Sequence, residues 1–264
     1  MAFVAVPGPF DFVLTTERFR AFGSDRASLW HEGGLHRVVG GREVRIEPAR
    51  GGVEVAPLDA ETAPVVRAVL GLPFALDPFY AWAAGDEVLA PIVPRLLGFR
   101  PSLAPDAFEM LVGAITSQQV SLPSALAIRN RMIERFGVRA VEAWAFPTRE
   151  RLAAAREEEL VAVGFSRRKA EYVIGLARAD IDLDGLVALP DDEVRARLVA
   201  LRGIGAWTAE WFLARHLARP NAWPAGDLAL RKAVAPLDAG EGRVRFHPFE
   251  NLSAHYLLLA ARLP

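Results

Sequence analysis

The chain has 264 residues, 52% of them hydrophobic and 24% charged, which excludes a disordered or fibrous protein and suffices for one large or two smaller domains. Its 31 basic residues nearly balance 32 acidic ones, so no general polyanion surface is implied, although backbone N–H groups and a few arginines suffice for a small phosphate footprint. The absence of cysteine excludes disulfides, thiolate catalysis and cysteine-ligated metal centres.

In chain order, Phe10 to Leu14 reads as a short strand and Thr16 to Phe22 as a short helix behind the threonine pair. Gly34 to Val39, Arg42 to Ile46 and Gly52 to Val55 alternate in polarity and are cut by glycine turns, as in a small antiparallel sheet. A helical pattern follows at Glu61 to Leu70, before Leu72 to Leu76. Residues 1–95 are therefore expected to form an α+β domain with one small antiparallel sheet, and 96–264 a helical region. Asp106 is placed to cap a helix with Phe108, Leu111, Val112 and Ile115 on one face, and Ser121 to cap a second one that Gly137 stops. Further helices are predicted at Arg149 to Val161, Arg167 to Ala179, Asp192 to Leu198, Trp207 to Leu217, Leu228 to Val234 and about Ser253 to Ala261. Short connections make this a compact bundle. The five histidines lack metal-ligand spacing, no apolar run reaches membrane-spanning length, and the first residues lack a secretion signal, so a cytoplasmic protein is expected.

Between two of these helices lies Leu201-Arg202-Gly203-Ile204-Gly205-Ala206-Trp207-Thr208-Ala209. Its two glycines permit a tight turn with close backbone approach, and the free N–H groups at the following helix start form an anion site. Alone, such a turn equally serves to reverse the chain. Asp227, ahead of Leu228, reads as an ordinary helix cap.

The LRGIGAWTA segment followed by Asp227, together with Ala114-Ile115-Thr116-Ser117-Gln118-Gln119-Val120-Ser121 and Gly164 to Ala170, resembles the alkyladenine branch of the helix-hairpin-helix base-excision DNA glycosylase superfamily. The resemblance runs closely over residues 100–235 and implies a mainly α fold with a small N-terminal α+β domain and a cleft between two helical subdomains. It implies double-stranded DNA with damaged bases as partner, no cofactor, no membrane and a monomer. Asp227 matches the catalytic aspartate, whose carboxylate would stabilise positive charge on the sugar as the base leaves. Where backbone-cleaving relatives carry a lysine the chain has Trp207, which forms no Schiff base, so a monofunctional enzyme is implied.

A flipped, cationic alkylpurine is held well by aromatic faces. Trp207 and Trp211 lie four residues apart on one helix face, as pocket lining or as core, and Trp223 either walls the site or anchors its loop. Phe249 stands in a C-terminal segment where the branch has tryptophans, as a candidate far wall. DNA contacts are implied for Gln118, Gln119 and Ser121 in one turn, with Gln119 as wedge, and for Arg168, Arg202, Gly203, Gly205 and Thr208 around the hairpin. The amides instead serve as local caps, and the basic helix start as a solvated face, if the resemblance misleads. The backbone of Arg202 and Ile204 is placed for a monovalent cation. Competing readings are the same fold acting on deaminated or oxidised bases, a non-catalytic damage-binding module, and a protein-binding helical scaffold. High Ala, Gly, Pro and Arg usage is that of a GC-rich bacterial genome.

Overall fold

The computed structural model describes residues 1–263. Strands β1 (Ala2–Ala5), β2 (Leu29–His31), β3 (Gly34–Val39), β4 (Arg42–Ala49) and β5 (Gly52–Ala56) form an antiparallel sheet in the order β1-β5-β4-β3-β2. Gly40 and Gly41, both at positive φ, close the β3–β4 hairpin in the conformation that two-residue turns demand. Alternation then sends Leu35, Val44, Ile46, Val53 and Val55 to one buried face, covered by Val66 and Val69 of helix α2 (Thr62–Val69) and by Leu70 just after it.

The strand expected over Phe10 to Leu14 is instead a helical turn, α1 (Phe12–Thr15), because the Asp11 side chain accepts the Leu14 N–H at 2.8 Å. The edge place in the sheet goes to β1, which pairs with β5. Of the helix expected over Thr16 to Phe22, only a 3-10 turn at Glu17–Phe19 forms.

Helix α3 (Leu76–Ala83) follows, then α4 (Ala107–Ser117) and α5 (Leu122–Phe136), capped by Asp106 and Ser121 as expected. A short hairpin, β6 (Val138–Arg139) with β7 (Trp144–Ala145), comes next. The long helix expected from Arg149 breaks into α6 (Arg149–Ala153) and α7 (Glu157–Ala162), since the Ala153 carbonyl accepts from Arg178 Nε and Glu159 caps the Arg156 N–H. The remaining helices are α8 (Arg167–Arg178), α9 (Asp191–Val199), α10 (Ala206–Arg215), α11 (Leu228–Ala233), α12 (Ala239–Arg245) and α13 (Glu250–Ala260).

Apolar side chains gather in three cores. One lies under the sheet, one joins α4, α5 and α6 to α10, and one packs α3 and residues 89–103 against α11 and α13. A division at 95/96 passes through that last core, where Phe79 meets Tyr256 at 4.8 Å between centroids. Among the described residues no helix is long and apolar enough to cross a membrane.

Candidate active site

The hairpin after α9 turns on Gly203, at φ +89°, where a Cβ would overlap the Tyr172 ring. Ile204 is buried beneath it and holds the turn to the core. The two arginines expected at the interface both gather on Tyr172. Arg168 donates to the Tyr172 hydroxyl, and Arg202, paired with Glu171, lies over the ring. Gln118, at the end of α4, donates its amide to the Gly203 carbonyl at 2.9 Å and so welds the α4–α5 turn to the hairpin. Gln119 is exposed with φ +54°, a conformation that side chains rarely adopt, and Ser121 caps α5 through the Ser124 N–H. Gly205 is exposed and opens α10. Thr208 departs from expectation: it is buried, since the α10 turn that presents Trp207 points it inward beside Ala209 and Phe212.

Asp227 is the N-cap of α11, and its carboxylate accepts four N–H groups. Oδ1 takes those of Ala229 and Leu230 at 2.9 and 3.0 Å. Oδ2 takes the indole N–H groups of Trp207 and Trp211, each at 3.1 Å. The α10 spacing of four residues thus brings both tryptophans to one oxygen. The loop before Asp227 is tied down by Asn251, which donates to the Ala214 and Arg219 carbonyls, and by the Trp223 N–H on Glu210.

Two cavities of about 220 and 600 Å³ meet at this tryptophan pair. Both are lined by Arg18, Phe22, Leu122, Trp207, Trp211 and Arg215, and only the larger reaches Asp227 and Lys232. Trp223 and Phe249 line neither. Trp223 packs on Phe246 at 5.6 Å in the C-terminal core and so anchors its loop without walling the cavity, and Phe249 packs on Trp82 at 5.4 Å, so the far wall expected from Phe249 is absent. That side is formed by His255, Leu258 and Arg262 instead.

The charged lining was not foreseen. Arg215 completes the Trp207, Trp211 stripe one turn further along α10, a spacing visible in the sequence, whereas Arg18 and His255 come from distant segments without a local signal. The Arg215 guanidinium lies 3.7 Å over the Trp211 ring. Burial, with Arg18 and Arg262 nearby, pulls it down to about 9. His255, edge-on to Trp211 at 5.7 Å, is pushed well below its usual range by burial and by Arg215, Arg18 and Arg262. Deeper in the smaller cavity, buried Glu109 accepts from Arg37 and Arg129, which hold its carboxyl down to about 2 against the effect of burial. Among the described residues no group of His, Asp or Glu is arranged to hold a metal ion.

Comparison with known proteins adds a family and a set of relatives. Residues 112–245 match the family described as HhH-GPD superfamily base excision DNA repair protein. The chain is 32% identical over 167 residues to the DNA-3-methyladenine glycosylase of Bacillus subtilis, covering 60% of this chain and 55% of that protein. To DNA-3-methyladenine glycosylase 2 of Escherichia coli it is 37% identical over 145 residues, covering 52% of this chain and 49% of the relative. The chain thus spans about half the length of the curated relatives it matches. The solved 3-methyladenine DNA-glycosylase of Archaeoglobus fulgidus superposes over 100% of this chain and 99% of its own, with TM-score 0.87 and 27% identity.

Proposed function

The chain belongs to the HhH-GPD superfamily of base excision DNA repair proteins, and from that premise we propose that it is a monofunctional DNA glycosylase releasing alkylated purines, such as 3-methyladenine and 7-methylguanine, from duplex DNA. The observation that carries this reading is the Asp227 carboxylate, fixed by two helix N–H groups and two indole N–H groups at the mouth of an aromatic cavity.

Hydrolysis of an N-glycosidic bond develops positive charge on the deoxyribose. A carboxylate already locked in place stabilises that charge without reorganising as the bond breaks. The cap geometry and the catalytic role therefore reinforce each other, because the donors that satisfy the helix start also hold the Asp227 carboxylate still. The flipped base enters the cavity and meets the Trp207 and Trp211 rings, while water reaches the sugar beside Asp227. Trp207 offers no amine for a Schiff base, so the strand stays intact.

The DNA surface of this proposal is the ridge made by the hairpin, the α4–α5 turn, Arg168 and Arg202. Gly203 and Gly205 present backbone, and exposed Gln119 is held out in a left-handed conformation as the wedge. Buried Thr208 has no part in it.

The test is release of free base from methylated duplex DNA by the wild type and Asp227→Asn, with strand breaks scored before and after alkali. Asparagine retains one carbonyl oxygen for the helix cap while removing the charge. Expected are methylpurine release by the wild type, a loss of about 100-fold or more in the variant, and breaks only after alkali. Unchanged release in the variant overturns the role of Asp227. Tight binding to abasic duplex without release of any base indicates a damage-binding module.

A further inference from the structure

The charges around the tryptophan pair are unbalanced. Each cavity is lined by four arginines or lysines and two carboxylates, so positive charge is in surplus on both sides of Trp211. The carboxylates are already committed. Glu109 is taken by Arg37 and Arg129, Asp25 by Arg129, Glu17 by Arg262, and Asp227 by its four N–H donors. Arg18 donates to the Ser102 carbonyl, and among the described residues no carboxylate pairs with it. Arg215 has the Trp211 face as its contact, with Nε buried and unpartnered. Its guanidinium occupies a cation–π position on the same indole that would receive a flipped base.

We propose, resting on the glycosylase reading above, that Arg215 engages the departing base and divides the lesions by charge: an uncharged purine bearing a carbonyl acceptor depends on this arginine, and a purine with a fixed positive charge does not. Burial and the neighbouring arginines draw Arg215 down to about 9, which still leaves it a cation at neutral pH.

The chemistry of the leaving group makes the division. When an uncharged base departs, the C1′–N bond breaks with both electrons going to the base nitrogen, so an anion forms whose charge spreads to the carbonyl oxygen. A guanidinium beside it donates to that oxygen and offsets the charge. Water adds to C1′, its proton passes through Asp227 to solvent, and the base anion takes a proton from solvent. A cationic alkylpurine departs by the same bond cleavage as a neutral molecule and develops no negative charge. Before it leaves, its own positive charge faces Arg215 and Arg18 at close range.

The experiment measures single-turnover release from two duplexes of one sequence, one carrying hypoxanthine as the uncharged probe and the other 7-methylguanine as the cation. Wild type, Arg215→Met and Arg215→Lys are compared. Expected is a fall of about tenfold or more in the ratio of hypoxanthine to 7-methylguanine release in Arg215→Met. Arg215→Lys, which keeps the charge and loses the planar fork, falls between. The circular dichroism spectrum and thermal midpoint of each preparation report folding. Equal losses on both duplexes, or hypoxanthine release untouched by Arg215→Met, overturn the proposal. A wild type that releases 7-methylguanine and no hypoxanthine overturns it as well, whereas release of neither base overturns the glycosylase reading beneath it.

Discussion

A carboxylate that accepts four N–H groups has little freedom left, and at Asp227 this rigidity joins helix capping to the proposed chemistry. The hairpin and Asp227 were legible in the sequence because each rests on a short local pattern, a pair of glycines or an acid before a helix. The Trp211 side chain was legible only by half. Core and cavity were posed as alternatives, and it is both, a buried ring whose N–H reaches the Asp227 oxygen. Gly203 carries a sharper prediction. Its positive φ costs an L-residue about 1–2 kcal/mol, and the added methyl overlaps Tyr172, whose hydroxyl Arg168 holds and whose ring Arg202 covers. Gly203→Ala is expected to lower the unfolding free energy by at least that amount, read as a lower urea midpoint with an unchanged slope, and to weaken duplex binding. An unshifted midpoint would show that Tyr172 moves aside freely.

Among the elements, α4, α5 and α8 were read correctly and begin with a side-chain cap, but a cap alone does not decide, since α1 has one at Asp11 and was read as a strand whereas α10 has none and was read correctly. Asp106, Ser121 and Ser166 each accept an N–H from the first turn of the helix they precede. Helix α12 carries the same signal, Asp238 with Glu241, but its Val244 faces solvent and no apolar stripe announced it. Helix α3 was hidden by Pro78, which stands in its first turn where proline is tolerated. Helix α4 shows what sequence patterns leave out entirely. Its Glu109 is buried against Arg37 of β3 and Arg129 of α5, a junction of three elements that no periodicity encodes. Since the folded carboxyl sits at about 2 against an ordinary 4.5, its contribution to stability is complete above pH 4.5 and is lost as pH falls from there toward 2. Urea unfolding at pH 7, 5 and 3 is expected to show most of the loss below pH 5. Glu109→Gln should flatten that dependence and cost about 3 kcal/mol at pH 7, because two buried guanidinium groups lose their partner. A variant as pH-sensitive as the wild type would assign the loss to other carboxylates.

Over the whole molecule a net charge of -1 conceals a local surplus of cations at the cavities, which explains why composition said so little about the partner. Few of these cations face outward, so the proposed DNA complex is expected to have a shallow salt dependence, with a log–log slope of about -3 corresponding to three or four phosphates. Arg202→Ala should reduce that slope by about one unit, and a slope unaffected by the change would remove Arg202 from the interface. The division into cores was the least legible property, since Phe249 and Tyr256, two of the rings that pack on Phe79, lie more than 150 residues away along the chain. That division has a mechanical consequence. Phe19, Leu103 and Trp211, from three different cores, meet in the wall of the smaller cavity, which is therefore a seam between solid blocks and not a hole inside one. Such a chamber is expected to widen by small relative sliding while each block keeps its packing. Amides inside the blocks are then expected to exchange with solvent hydrogen only on global unfolding, and those along the seam through brief partings that leave the blocks intact.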